Sequence, residues 1–241
     1  SYGYFVIPPN RWEPSKDASD RDAGTFSRPL RFGERLANIA KCSISKIAVP
    51  SLDEGGEKGA ALRVDVAAKL SDSDVEDIIR QVTRMFQLTM DLKPWFHLSE
   101  EARQRGYGRL FRSPTVFEDM VKSITGCNMK FQGTIRMNKL LCEEFGHNGA
   151  ATVPIHDLER VQAEDLKEKA KVGYRADRIL RLAKSFRDGT VDPAWLEAEE
   201  RTRDEVMKFV KNLYGFGDYA AGNVAMLLGF YEEIPLDSET V

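Results

Sequence analysis

Every strand-like segment in this chain precedes every well-formed helical pattern, and that order limits the possible folds more than any other feature. "YGYFVIP", "FSRPLRF", "CSISKIAVP" and "ALRVDVAA" all lie within about the first 70 residues. Each is short, rich in β-branched or aromatic residues, and bounded by Pro, Gly, Asp or Asn. "SLDEGGEKGA" (Ser51 to Ala60) has the composition of a hairpin connection between two of them. "SDSDVEDIIRQVTRMFQL" then opens a helix that Ser71 or Ser73 can cap, with acidic residues in its first turn.

From about Pro94 onward the periodicity is helical. "SPTVFEDMVKSITGCN" sets Val116, Phe117, Met120, Val121 and Ile124 on one face, behind a serine cap and a proline at the first helical position. "FQGTIRMNKLLCEEFG" repeats the pattern with Ile135, Leu140 and Leu141, and Gly189 closes another helix after Ile179, Leu180, Leu182, Ala183 and Phe186. Strands followed by helices imply an α+β fold, here a small mixed unit over residues 1–93 and a larger helical one over 94–241.

Composition removes several classes of function. Charged residues make up 30% and hydrophobic ones 42%, and no apolar run reaches the length of a bilayer span. The net charge of -3 argues against coating nucleic acid by bulk electrostatics, while leaving room for a local phosphate-binding patch. Cys42, Cys127 and Cys142 are odd in number and widely spaced, which fits neither a disulfide framework nor a metal cluster and suggests a reducing compartment. His97, His147 and His156 are too scattered for a metal site or a catalytic dyad. No signal peptide is recognised, and a chain that opens on Ser1 is read as a piece of a longer protein.

The stretch with chemical content is "NLYGFGDYAAGNVAMLLGF", Asn212 to Phe230. Gly215 and Gly217 flank one apolar residue, Phe216, between two helical segments. A plain helical hairpin with a glycine stop is one reading. The other is an anion site, in which the amides of Gly215, Gly217 and Asp218 point outward at the positive end of the second helix. Twenty residues after Gly217 comes Asp237, behind Pro235, at a position suited to an N-cap. A capping carboxylate is held rigidly and kept ionised by the helix dipole, so capping and catalysis are compatible.

Leu213, Gly215, Gly217, Ala221, Pro235 and Asp237 together resemble the signature of the helix-hairpin-helix (HhH-GPD) DNA glycosylase superfamily: an "LxGxG" hairpin, a helix, a Pro-containing loop and an aspartate. "VTRMFQL", "RSPTVFEDMVKSITGCNMKFQGTIRMNKLLCEEFG" and "VGYRADRILRLAKSF" are similar to the preceding helices of the 8-oxoguanine glycosylase and 3-methyladenine glycosylase II branches. The resemblance covers most of the chain in the correct order. It implies a small antiparallel-sheet N-terminal domain followed by an all-helical HhH-GPD domain.

It also implies an activity, hydrolysis of the N-glycosidic bond of a damaged or modified base flipped out of duplex DNA. Asp237 would be the catalytic carboxylate, either stabilising the oxocarbenium-like sugar or activating water. Gly215, Phe216, Gly217, Asp218 and Tyr219 would face the DNA at the hairpin, and Asn128, Met129 and Lys130 would form the loop that fills the gap left by the base. Met129 and Lys130 depart from the polar residues found in 8-oxoguanine glycosylases. Lys130 and Arg136 are the phosphate contacts selected, whereas the basic run on "GYRADRILRLAKSFR", diluted by Asp177 and Asp188, is read as a solvated face.

The resemblance implies no cofactor beyond a structural monovalent cation on the carbonyls of Lys211, Leu213 and Phe216. Strand-cleaving members carry a lysine after the hairpin, and Tyr219 in its place implies a monofunctional enzyme. Modified purines are the expected substrates, with alkylated bases ranked ahead of oxidised guanine. The expected partner is double-stranded DNA containing a damaged base, bound by a monomer with no membrane association, in the nucleus of a eukaryote or the cytoplasm and nucleoid otherwise. Val241 stands four residues beyond Asp237, where relatives continue into helices that complete the base pocket. The competing expectation is a helix-hairpin-helix module that binds DNA or senses lesions without turnover.

Overall fold

Ser71, rather than Ser73, caps the first long helix, α1 (Asp72–Phe86). Its hydroxyl accepts the Asp74 N–H, and the Asp74 carboxylate accepts the Ser71 N–H at 2.9 Å, a reciprocal capping box. Hydrogen bonds to Ser71 hold the Asp74 carboxyl below the usual carboxylate range. The helix lays Ile78, Val82 and Met85 against the sheet that precedes it. The structure is a computed structural model, and it describes residues 3–15, 24–33, 38–49, 59–146, 157–233 and 235. The connection expected at Ser51 to Ala60 falls largely outside the described residues, as do His147, His156 and Asp237.

The sheet comprises β1 (Arg11–Pro14), β2 (Gly24–Phe32), β3 (Asn38–Val49) and β4 (Gly59–Val66), antiparallel and in sequence order. Phe26, Leu30 and Phe32 of β2 and Ala40, Cys42 and Ile44 of β3 alternate inward, as period-two pleating requires. Pro29 is tolerated because β1 pairs only with Gly24 to Ser27, so β2 has a neighbour on one side alone at that point. The stretch "YGYFVIP" corrects one expectation: Gly3–Val6 is a 3-10 turn, and the first strand is Arg11–Pro14. Its aromatic residues serve as anchors instead of pairing. Phe5 packs on Trp12, Phe26 and Phe111, and the Tyr4 hydroxyl reaches Ser123 Oγ at 3.1 Å.

Helices follow: α2 (Lys93–Leu98), α3 (Glu100–Arg105), α4 (Val116–Gly126), α5 (Phe131–Phe145), α6 (Ala163–Lys169), α7 (Arg175–Arg187), α8 (Pro193–Leu196), α9 (Arg203–Lys211) and α10 (Asp218–Leu228). Helix α4 is the hub, buried on nearly every side and packed against α5, α7 and α10. Its cap is Thr115, whose Oγ1 accepts the Glu118 N–H at 3.2 Å, and not Ser113 as the proline suggested. Ser113 is occupied elsewhere: its N–H donates to Asp119 at 2.7 Å and its hydroxyl accepts from Lys122. On α5 the buried face is Thr134, Met137, Asn138, Leu141 and Cys142, with Ile135 and Leu140 at its margin. Polar residues belong there because Asn138 donates to Thr125 Oγ1 at 2.8 Å, and the Thr134 hydroxyl donates to the Thr125 carbonyl.

The buried apolar residues form two clusters, one on the sheet and α1, the other among the helices. Phe111, from beyond residue 94, belongs to the first. Charge joins the two parts. Arg28 on β2 is bonded to Glu118 on α4, and Arg84 on α1 to Asp119 at 2.8 Å. No helix among the described residues is long and apolar enough to cross a membrane.

Candidate nucleic-acid interface

The hairpin between α9 and α10 is built from inside outward. A second capping box, Thr202 with Glu205, starts α9, whose Val206 and Val210 enter the helical core. Leu213 N–H donates to the Val210 carbonyl at 3.0 Å, and Phe216 N–H to the Leu213 carbonyl at 3.2 Å, closing the turn. The Phe216 side chain is 4% exposed and plugs the loop into the core. Phe216 can therefore meet a ligand only through its carbonyl, which narrows the DNA-facing role expected of it.

Around this plug lie the two glycines. Gly215 has φ +90°, a conformation that glycine adopts without strain, and the stem of Arg178 covers it: a Cβ there would stand 2.5 Å from Arg178 Cδ. Gly217 differs. Its φ of -86° suits any residue, and an added Cβ would meet nothing within 4 Å. It is the N-cap of α10 yet offers no side-chain acceptor. The N–H groups of Gly215, Gly217 and Asp218 have no acceptor among the described residues. These donors sit at the positive end of an 11-residue helix.

Asp218, the first residue of α10, is exposed, and its carboxylate is ion-paired with Lys211 at the end of α9. Tyr219 is half-buried against the helical core, and its carbonyl accepts from Asn223 at 2.9 Å. Of the carbonyls expected to hold a cation, that of Leu213 already accepts the Phe216 N–H and keeps one lone pair. Those of Lys211 and Phe216 lie on either side of it in the turn. Among the described residues no cluster of His, Cys, Asp or Glu could hold a metal ion. Pro235 packs on α10, its ring 3.3 Å from where a Cβ on Gly222 would stand. Asp237 lies outside the described residues.

The second predicted element, the loop after α4, is held by one arginine. Asn128 takes a left-handed φ of 49°, which asparagine tolerates better than most residues, just past the helix end. Arg175, 4% exposed at the start of α7, donates to the carbonyls of Cys127 and Asn128, the latter at 3.3 Å. The Asn128 side chain remains exposed, as do Lys130, the N-cap of α5, and Arg136. Met129 folds back over α5, so that a Cβ at Gly133 would lie 2.3 Å from its sulfur. The Cys127 thiol is pushed up by burial, against the opposing pull of Arg178 and Arg175. All three cysteines are buried and free.

Two residues were passed over in the sequence. Arg178 and Arg181 project from α7 toward the hairpin, which brings together the two predicted elements. Arg178 covers Gly215 and stands over the Tyr174 ring at 4.7 Å, while Arg181 stands over the Tyr214 ring at 4.1 Å. Tyr174 and Tyr214 are 49% and 55% exposed; only Tyr174 adjoins the basic helix in sequence, so the pairing with Tyr214 had no sequence signal.

No protein-family model and no curated protein matches this sequence. Solved structures do resemble its fold. MBOgg1 in complex with a low-affinity DNA ligand superposes with a TM-score of 0.62 at 21% identity, covering 95% of this chain and 72% of that one. The Clostridium acetobutylicum 8-oxoguanine glycosylase/lyase, in complex with double-stranded DNA containing cytosine opposite 8-oxoG, gives 0.61 at 16% identity over 95% and 72% of the two chains. The 3-methyladenine DNA glycosylase from Archaeoglobus fulgidus gives 0.58 at 18% identity over 85% and 69%. The α+β arrangement described above, an antiparallel sheet followed by a helical part carrying a glycine hairpin, is the fold of these 8-oxoguanine and 3-methyladenine DNA glycosylases.

Proposed function

We propose that this protein is a DNA glycosylase that binds duplex DNA through the Gly215–Asp218 hairpin and hydrolyses the N-glycosidic bond of an extruded, modified purine. The observation that carries the reading is Gly217. No described residue requires glycine there, and a serine would cap α10 better by about a few tenths of a kcal/mol. A glycine there makes sense if a phosphate must approach the Gly215, Gly217 and Asp218 amides closely. A hairpin carbonyl cation beside that phosphate belongs to the same proposal.

Gly217→Ser is the direct test. Its hydroxyl would take the α10 N–H groups, and its Cβ would occupy the open approach. The melting temperature is expected to hold or rise, while affinity for a duplex carrying an abasic analogue falls roughly tenfold or more, the loss of a charge-assisted hydrogen bond. Unchanged affinity would remove the hairpin from the DNA interface.

The proposed chemistry breaks the bond between C1′ and the base nitrogen. Charge builds on the sugar, water adds its oxygen to C1′, and a proton ends on the departing base. Asp237 is the proposed carboxylate facing that charge, as electrostatic stabiliser or as base for the water. A phenol forms no imine, so Tyr219 supports hydrolysis without a Schiff base, and Lys211 is engaged with Asp218. Borohydride added during excision is expected to trap no covalent complex with the wild type, whereas Tyr219→Lys supplies an amine and gains one. A wild-type adduct would rule out the monofunctional mechanism. Duplexes carrying single alkylated or oxidised purines identify the substrate, and excision of none of them would favour a non-catalytic binding module.

A further inference from the structure

We infer that Arg178 and Arg181 of α7 form a second phosphate-contacting track, carrying the DNA backbone from the hairpin toward the Asn128 loop. The inference rests on the DNA-binding reading of the hairpin and assigns two contacts beyond it. Three observations support it.

Position comes first. The Arg178 stem lies on Gly215, within the hairpin itself, one turn along α7 from Arg175, which donates to the carbonyls of Cys127 and Asn128. Arg181 follows one turn later, about 4.5 Å along the helix, over Tyr214 of the same hairpin. Two cations at this spacing can meet successive phosphates of one strand.

Availability comes second. Neither guanidinium makes a hydrogen bond or ion pair among the described residues. Each lies over a tyrosine ring, Arg178 sharing that of Tyr174 with Arg175, and a cation–π contact leaves the N–H donors of a guanidinium available for phosphate.

The third concerns the acidic residues that seemed to dilute this run. Asp177 is 3.9 Å from Lys167, Asp188 is 2.7 Å from Lys184, and Asp218 is paired with Lys211. Among the described residues these three carboxylates thus face lysines, Lys167 serving Glu164 as well, and neither arginine is ion-paired with them.

The measurement is the salt dependence of binding to a fluorescein-labelled duplex with a central tetrahydrofuran abasic analogue, followed by anisotropy. Each lost phosphate contact lowers the slope of log K against log salt by about 1. Arg178→Gln/Arg181→Gln is expected to reduce the slope by about 2, and Arg178→Lys/Arg181→Lys to retain it. Arg181→Gln alone, at an exposed position with no core packing, is expected to reduce it by about 1 and guards against misfolding of the double variant. A Gly217→Ser protein that loses affinity beside arginine variants that keep the full slope overturns this inference and leaves the hairpin reading intact. A wild type that binds no duplex removes both.

Discussion

Replacing Asp237 with asparagine is expected to lower single-turnover excision by roughly 10²–10⁴-fold while leaving duplex affinity and melting temperature near wild type. The choice of asparagine matters because the sequence also suits Asp237 to a helix N-cap. Asparagine caps as well as aspartate does, so the substitution preserves that role and removes only the charge. If capping were the whole function of Asp237, the variant would excise at the wild-type rate. A carboxylate that stabilises a developing cation, or takes a proton from water, has no substitute in a neutral amide. The assay uses the lesion duplex that the wild type processes fastest, and undiminished excision by Asp237→Asn would sink the mechanism. Binding is the internal control: the hairpin amides proposed to hold the backbone belong to residues 215, 217 and 218, not to Asp237.

Much of the fold could be read directly because local and tertiary preferences agree. The strand composition of β2 and β3, the cap offered at Ser71 or Ser73, and the apolar face of α4 each express one physical preference or one end effect. The hairpin was legible because two glycines around one phenylalanine, between two helical patterns, mark a turn. The misreadings arise where partners are distant in sequence. "YGYFVIP" has strand composition, but its aromatics are claimed by Trp12, Phe111 and Ser123. The serine before Pro114 looks like a cap, but Asp119 and Lys122 hold it from within α4.

Arginines on α7 show the same limit from the functional side. Read along the chain, Arg178 and Arg181 alternate with acids and resemble a solvated face. Only the fold shows that Lys167 and Lys184 take those acids, and that Tyr214 comes from a hairpin more than thirty residues away. Lys130 and Arg136, selected from the sequence, are exposed beside the Asn128 loop. Which cations contact phosphate is decided by such pairings, and salt slopes of the individual variants would rank them.

Glu118→Gln is expected to destabilise the protein by about 3–5 kcal/mol, among the largest effects for a position remote from any ligand. Glu118 is 2% exposed, with Arg28 donating to its two oxygens at 3.1 and 2.8 Å and Lys122 donating at 2.7 Å. Arg28 also donates to Asn10 at 2.9 Å, so the cluster ties β2 to α4. Glutamine keeps the shape but removes the carboxylate charge that two cations, 2% and 1% exposed, share. Burial alone would raise the Glu118 carboxyl, but Arg28 and Lys122 outweigh it and hold the group far below the usual carboxylate range. The unfolded chain then binds a proton near pH 4.3 that the folded protein refuses. Stability owed to Glu118 is therefore complete at neutral pH and declines only as pH falls below about 4.3. Urea denaturation of wild type and Glu118→Gln should show a gap that is constant from pH 7 to about 5 and narrows in acid. Replacing Arg28, Glu118 and Lys122 together by apolar residues of similar volume should recover most of the loss, because the penalty comes from uncompensated charge. Lys184→Ala, which breaks an exposed pair, should cost under about 1 kcal/mol. A Glu118→Gln protein as stable as wild type would mean that water reaches this junction and shields both cations.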